Sequence, residues 1–258
     1  MNDASLLLDV SARIATVTLN RPHKRNALDR VLAVEVPRVM AELGARTDVD
    51  AIILTGADPS FCAGLDLVDA IAPGGLLHGP PRPTELFAPV PMPVIGAING
   101  ATFTGGLELA LACDWLIASE HATFADTHAR VGVHPDGGLT VRLPQRVGVA
   151  RARQMSATGE RVDAHTALAW GLVNEVVAHE DLLPRCRALA AAVTKADRAA
   201  LHRILATYRA HEEAHEADAF VREHAAVVHA AGDGYDGASV AARRDTLLHR
   251  DSGPPPTK

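Results

Sequence analysis

Two glycines and a glutamate, Gly105-Gly106-Leu107-Glu108, stand where an apolar helical run begins. Glycine lets the backbone come close to a ligand. The first amides of a helix have no partner inside it, and the helix dipole favours negative charge at that end. Such a turn suits an anion, or an oxyanion that develops during a reaction. Glu108 lies about one turn further in, so its carboxylate can sit near whatever those amides hold. Taken alone, the same residues describe a glycine-softened start to a core helix carrying one surface glutamate. A second segment, Ser60-Phe61-Cys62-Ala63-Gly64-Leu65-Asp66-Leu67, has small residues at Ala63 and Gly64 that again permit close backbone approach.

Strands and helices must position these groups. Leu6–Val10 and Ile14–Leu19 read as strands joined tightly through Ser11-Ala12-Arg13. Asp29 is placed to cap a helix running towards Leu43, which Pro37 should interrupt or kink. Ala51–Thr55 and Val94–Ile98 are short β-branched runs bounded by Gly56 and Asn99-Gly100, as buried strands are. A helix over Leu107–Cys113 and a strand over Trp115–Ala118 follow. Alternating strands and helices predict an α/β layered fold. Ile71–Pro91 is aperiodic and rich in proline and glycine, a long loop that is either a functional cover or simply mobile. Beyond about Asp181 alanine, arginine, glutamate and histidine dominate. Leu182–Val193, Arg198–His211, Ala214–Ala230 and Gly237–His249 read as helices packed on the core or on a neighbouring subunit. The expected organisation is a core over 1–190, a helical region over 191–250 and a disordered tail over 251–258.

In chain order the motifs become specific. Asn20-Arg21-Pro22 with Lys24-Arg25-Asn26-Ala27-Leu28 resembles the first CoA-binding segment of the crotonase superfamily, the enoyl-CoA hydratase/isomerase family. Phe61-Cys62-Ala63-Gly64-Leu65-Asp66-Leu67 resembles its first oxyanion segment. Pro93 to Gly100, running on to Gly105-Gly106-Leu107-Glu108, resembles its second. Pro135-Asp136-Gly137-Gly138 and Ala169-Trp170-Gly171-Leu172-Val173 match later signatures, so the resemblance spans about residues 5–180. It implies the ClpP/crotonase-like spiral of ββα units, with C-terminal helices that assemble trimers or dimers of trimers. It implies an acyl-CoA substrate and no cofactor beyond the coenzyme A that the substrate carries. The oxyanion hole would be the backbone N–H groups of Leu65 and Gly105. Arg25, Ala27, Ala63, Asp66 and Leu67 would line the CoA path, and Glu108 would be the first catalytic glutamate.

Two positions depart from the hydratase pattern. The family's second glutamate should lie twenty residues after Glu108, yet the segment reads Phe124-Ala125-Asp126-Thr127-His128. Histidine ordinarily titrates near pH 6.5, so His128 can still move a proton at neutrality, or it can simply hydrogen-bond in a polar pocket. Asp136 stands where hydratases have glycine. There it resembles an acid/base of double-bond isomerases, and it also suits an N-cap for the helix that follows. The readings carried forward are a hydratase using Glu108 with His128, an isomerase using Asp136, and an acyl-CoA binder without turnover.

Composition narrows the rest. The 258 residues, 48% hydrophobic, suffice for one large α/β domain, or for a core domain plus a helical appendage. A formal charge of −6, no basic stripe and 3% aromatic residues argue against nucleic acid. Three widely spaced cysteines, Cys62, Cys113 and Cys186, fit a reducing cytoplasm better than a disulfide framework. No basic, apolar leader opens the chain and no apolar run approaches the roughly 18 residues of a membrane span. His211-Glu212-Glu213-Ala214-His215 matches the zinc-protease pattern H-E-x-x-H, but its surroundings are crowded with His, Glu and Ala. It reads as a solvated helix, and no metal site is expected.

Overall fold

The computed structural model describes residues 4–77, 90–232 and 237–250. Strands β1 (Leu6–Ser11) and β2 (Ile14–Leu19) pair antiparallel, with Ala12 and Arg13 both at positive φ in the tight turn. Helix α1 (Arg30–Gly44) begins where the Asp29 carboxylate accepts from Leu32 N–H at 2.9 Å. It runs unbroken through Pro37, so of the expected interruption or kink the interruption does not occur. Leu32, Val36, Met40 and Leu43 are buried on one face, and that packing outweighs the lost backbone bond.

Three successive units then each give one strand to each of two sheets and end in a short helix. They are β3 (Ala51–Gly56), β4 (Ser60–Cys62) and α2 (Leu67–Ala70); β5 (Val94–Ile98), β6 (Ala101–Phe103) and α3 (Gly105–Leu111); and β7 (Trp115–Ser119), β8 (Thr123–Ala125) and α4 (His128–Val131). The first sheet has order β1-β2-β3-β5-β7-β10, parallel after β2, where β10 is Glu175–Val177. The second has order β4-β6-β8-β9, where β9 is Val162–Asp163. This is the spiral of ββα turns that the resemblance implied. The second sheet was not read from the sequence, because its strands are two or three residues long and carry no periodicity.

The inner strands β2, β3, β5 and β7 are buried on both faces, so they are largely apolar, whereas the edge strand β1 is partly exposed and carries Asp9. Val17, Ile52, Leu54, Ile98 and Leu116 face α1 and the second sheet. Ile14, Ile53, Ile95, Ala97 and Ile117 face Leu182, Cys186 and Ala190 of α8 (Leu182–Val193). Between β8 and β10 lie α5 (Leu139–Val147), α6 (Val149–Thr158) and α7 (Ala164–Trp170). The two helices expected over 198–211 and 214–230 are one helix of 35 residues, α9 (Arg198–Gly232), because no glycine or proline separates them. Helix α10 (Gly237–Arg250) returns against α2 and α4. The expectations for residues 251–258 and for 78–89 of the long loop lie outside the described residues.

The two glycines of α3 differ in what confines them. A Cβ on Gly106 would sit 2.0 Å from the Cys62 carbonyl oxygen, whereas on Gly105 it would meet nothing nearer than 3.7 Å. Gly106→Ala should therefore cost about 1–3 kcal/mol, read as a fall in urea midpoint, and Gly105→Ala well under half of that. Equal midpoints for both variants would show that the approach of α3 to β4 does not require glycine.

Candidate active site

The turn from β6 into α3 is built on Thr104, which takes φ +46° and ψ −116°, an uncommon conformation for a β-branched residue. Gly64 lies against it at φ +99°, and a Cβ there would fall 1.9 Å from Thr104 Oγ1. The two motif segments therefore meet backbone to backbone. Leu65 sits in a one-residue parallel bridge to Leu28, whose bonds use Gly64 C=O and Asp66 N–H at 2.8 Å each. Gly64 C=O and Leu65 N–H belong to one trans peptide and point opposite ways, so Leu65 N–H is turned away from Leu28. Gly105, the first residue of α3, has its Cβ position 3.8 Å from Leu65 N, and its own N–H is one of the orphan amides of a helix start.

A cavity of about 190 Å³ adjoins this junction. Arg25, Ala63, Leu65, Leu67, Thr104 and His128 are among its lining residues. Ala27 and Asp66 are not. Ala27 is buried, and the Asp66 carboxylate pairs with Arg21 at 3.1 Å. No acidic residue lines the cavity among the described residues, while Arg130, Arg161 and Arg244 also reach its wall.

Glu108 is buried, 3% exposed, not on the surface. One carboxylate oxygen accepts Gly137 N–H at 2.6 Å and the other lies 3.9 Å from His128 Nε2. Burial raises its pKa, the nearby His128 and the Gly137 bond lower it, and the balance is pushed up to about 7. His128, 6% exposed, is itself raised: burial opposes its charge, but Asp126 at 2.7 Å from Nδ1 and the Glu108 charge favour it more. The carboxylate at Asp126 is held below its ordinary value, since its bonds to His128 outweigh its own burial.

Asp136 lies elsewhere. Its carboxylate meets His224 Nδ1 of α9 at 3.1 Å, and it does not line the cavity. Two buried residues were missed by sequence reasoning. Asp126 had a signal, since an aspartate two residues before a histidine can bond that residue's backbone N–H, as it does here at 3.1 Å. Glu223 had none, because its partners lie 83 and 85 residues away. It accepts from Gly138 N–H at 2.7 Å, Thr140 N–H at 2.8 Å and the Thr140 hydroxyl, binding α9 to the first turn of α5.

Other polar clusters lack this combination. Ser119, His179 and Asp58 form a chain of 2.9 and 3.3 Å contacts, but Ser119 is fully buried at a strand end. His211 is exposed on α9, and among the described residues no group of three His, Cys, Asp or Glu is placed to hold a metal ion.

A raised acid has a thermodynamic consequence. Folded Glu108 keeps a proton to about pH 7 that the unfolded chain loses near 4.5, so stability is lost as pH rises through that window. Glu108→Gln retains an acceptor for Gly137 N–H and carries no charge. It should match the wild type near pH 5 and exceed it at pH 8 by about 1–3 kcal/mol in urea unfolding. A variant no more stable at pH 8 than at pH 5, relative to wild type, would refute the desolvation.

Comparison with known proteins agrees with this architecture. The family model for enoyl-CoA hydratase/isomerase proteins matches residues 9–232. The chain is 37% identical to a probable peroxisomal enoyl-CoA hydratase of Arabidopsis thaliana over 75% of this chain and 74% of that protein. It is 38% identical to a carnitinyl-CoA dehydratase of Citrobacter koseri over 78% of each. The crystal structure of an enoyl-CoA hydratase from Mycobacterium tuberculosis superposes with a TM-score of 0.82 at 49% identity, covering 88% of this chain and 99% of that one. With the spiral, the paired glycine segments and the buried glutamate in the same order, the chain belongs to the enoyl-CoA hydratase/isomerase family of acyl-CoA enzymes.

Proposed function

We propose that the chain hydrates 2-enoyl-CoA thioesters reversibly, with Glu108 and His128 as the acid/base pair. The observation that carries this reading is the 3.9 Å approach of the buried Glu108 carboxylate, itself outside the cavity lining, to Nε2 of His128, which lines the cavity together with Leu65. The thioester oxygen takes the N–H groups of Leu65 and Gly105, and charge grows there as the double bond is attacked. One such donor contributes about 3 kcal/mol in the transition state. Glu108 in its ionised form accepts a proton from water as the water oxygen bonds to Cβ. Protonated His128 gives its proton to Cα, and dehydration runs the same transfers backwards. Arg25, Ala63 and Leu67 flank the thioester on the CoA side, with Ala27 and Asp66 supporting that wall, and the further cavity arginines suit a polyanionic ligand.

The isomerase alternative assigns the second proton transfer to Asp136. The 3.1 Å contact with His224 occupies that carboxylate away from the cavity lining, which favours His128. On crotonyl-CoA, His128→Ala should lower kcat about 100- to 10,000-fold while Asp136→Asn stays within about 3-fold of wild type. The reverse ranking, measured on a 3-enoyl-CoA, would make the protein an isomerase that uses Asp136.

We also assign assembly as a trimer or dimer of trimers through the C-terminal helices, in the cytoplasm. Ile204 and Tyr208, one turn apart on α9, are 54% and 64% exposed, and Val221 and Val228 are 66% and 51% exposed. Such apolar faces suit a second copy of the chain. The three free cysteines are buried, consistent with a reducing compartment, and no described helix is long and apolar enough to cross a membrane. Size-exclusion chromatography with light scattering should give three or six times the monomer mass. A monomer at micromolar concentration would contradict the assignment.

A further inference from the structure

Asp126 has two contacts with the same residue. One carboxylate oxygen accepts both the backbone N–H of His128, at 3.1 Å, and its ring Nδ1, at 2.7 Å. The first contact is an Asx-turn that starts α4 in place of a capping bond from Thr127, which makes none. The second fixes the ring about the axis that the first has already set. Asp126 is 2% exposed and His128 6%, so water does not compete for either contact.

A carboxylate can only accept, so the ring nitrogen facing it must carry a proton. In neutral His128 the proton then belongs to Nδ1, and Nε2 presents a lone pair towards Glu108 and the cavity. In protonated His128, Nε2–H is the group free to be given away. The same carboxylate that fixes the tautomer stabilises the imidazolium. An aspartate acts in this way behind a histidine base in the serine-protease triad, where it orients the ring and is not itself protonated.

We infer that Asp126 is a positioning residue of the proton-transfer machinery, orienting His128 so that its Nε2 exchanges protons with substrate and Glu108. This rests on His128 being the second acid/base. The groups that face His128 are Glu108 on α3, Asp126 ahead of α4 and Glu223 on α9, all acidic. On its cavity side stand Arg25, Arg130, Arg161 and Arg244. The acids outweigh the burial of the ring, which is why the charged form persists to higher pH than in free histidine.

The test uses the full chain with histidine nitrogens labelled with 15N, His128 being identified by the signal that His128→Gln removes. In wild type above its titration, His128 should be protonated at Nδ1 and bare at Nε2. In Asp126→Asn its titration midpoint should fall, kcat on crotonyl-CoA should drop about 10- to 1,000-fold, and KM should stay within about 3-fold. The same substitution placed on His128→Ala should add little, since the two residues act as one unit. Asp126→Glu should recover part of kcat. An unmoved His128 midpoint in folded Asp126→Asn, or a full additional loss on the His128→Ala background, overturns the inference and leaves Asp126 a merely structural cap. If Asp126→Asn does not fold, the wild-type tautomer decides, and a neutral ring protonated at Nε2 refutes the assignment. Failure of the hydration reading is separate: it shows as no crotonyl-CoA turnover by wild type, while the nitrogen spectra still report on Asp126.

Discussion

A carboxylate buried to 3% exposure is the constraint around which the site is arranged. Taking ionised Glu108 out of water costs free energy that close donors, positive charge or uptake of a proton must offset. The fold supplies one backbone donor, Gly137 N–H, and one titratable ring, His128. Neither comes from the helix that carries Glu108. The spiral brings them there, because its third ββα unit ends in α4 at His128 and the loop after it crosses above α3 at Gly137. The requirement reaches down to single atoms. A Cβ on Gly137 would lie 2.5 Å from a Glu108 oxygen, so only glycine can bring its amide this near. Gly106 is confined in the same way by Cys62, and that contact sets the distance between α3 and the second sheet.

The C-terminal helix is part of the same arrangement. Glu223 of α9 binds three donors at Gly138 and Thr140, immediately after the amide that holds Glu108. The start of α5 has no side-chain cap of its own, since Gly138 occupies the cap position at φ +85°. A carboxylate from a distant helix does that work and suits the dipole there. The loop carrying Gly137 is thereby fixed from both ends. The negative charge of Glu223 also adds to the forces that keep Glu108 a weak acid. Structure and acidity are tied through one residue that contacts neither the cavity nor Glu108 by a hydrogen bond among the described contacts.

What was legible in the sequence followed from local rules. Buried parallel strands are continuous apolar runs, so Ala51–Thr55 and Val94–Ile98 were read within a residue of β3 and β5. Asp29 was read as a cap because capping is a contact across three residues. Gly105, Gly106 and Glu108 stood out because close backbone approach and helix-start amides belong to short segments. The strands of the second sheet were invisible, since two or three residues carry no period. Helix α9 is continuous where two helices are expected, since no glycine or proline interrupts residues 198–231. The depth of Glu108 is not written locally, since the amide it meets belongs to Gly137, 29 positions away. The partners of Glu223 and Asp136 are longer-range still, and nothing in the local pattern of either residue announces them.

The histidine at position 128 follows from its surroundings. Glu108, Asp126 and Glu223 already act on that position, and each is at most 4% exposed. A second glutamate there would add another buried negative charge to a group whose acidity is already depressed by like charge and burial. Imidazole avoids this. When protonated it offsets the two carboxylates it touches, and when neutral it adds no charge at all. Aspartate at 126 and histidine at 128 are therefore mutually consistent, since each moves the other's pKa in the direction that keeps the pair ionised. The charge pattern then divides at the ring. Acids lie on the protein side of His128 and arginines line the cavity on the other. A chain with a net charge of −6 can therefore present a cationic wall to an anionic ligand while its buried acids gather on the protein side of one imidazole.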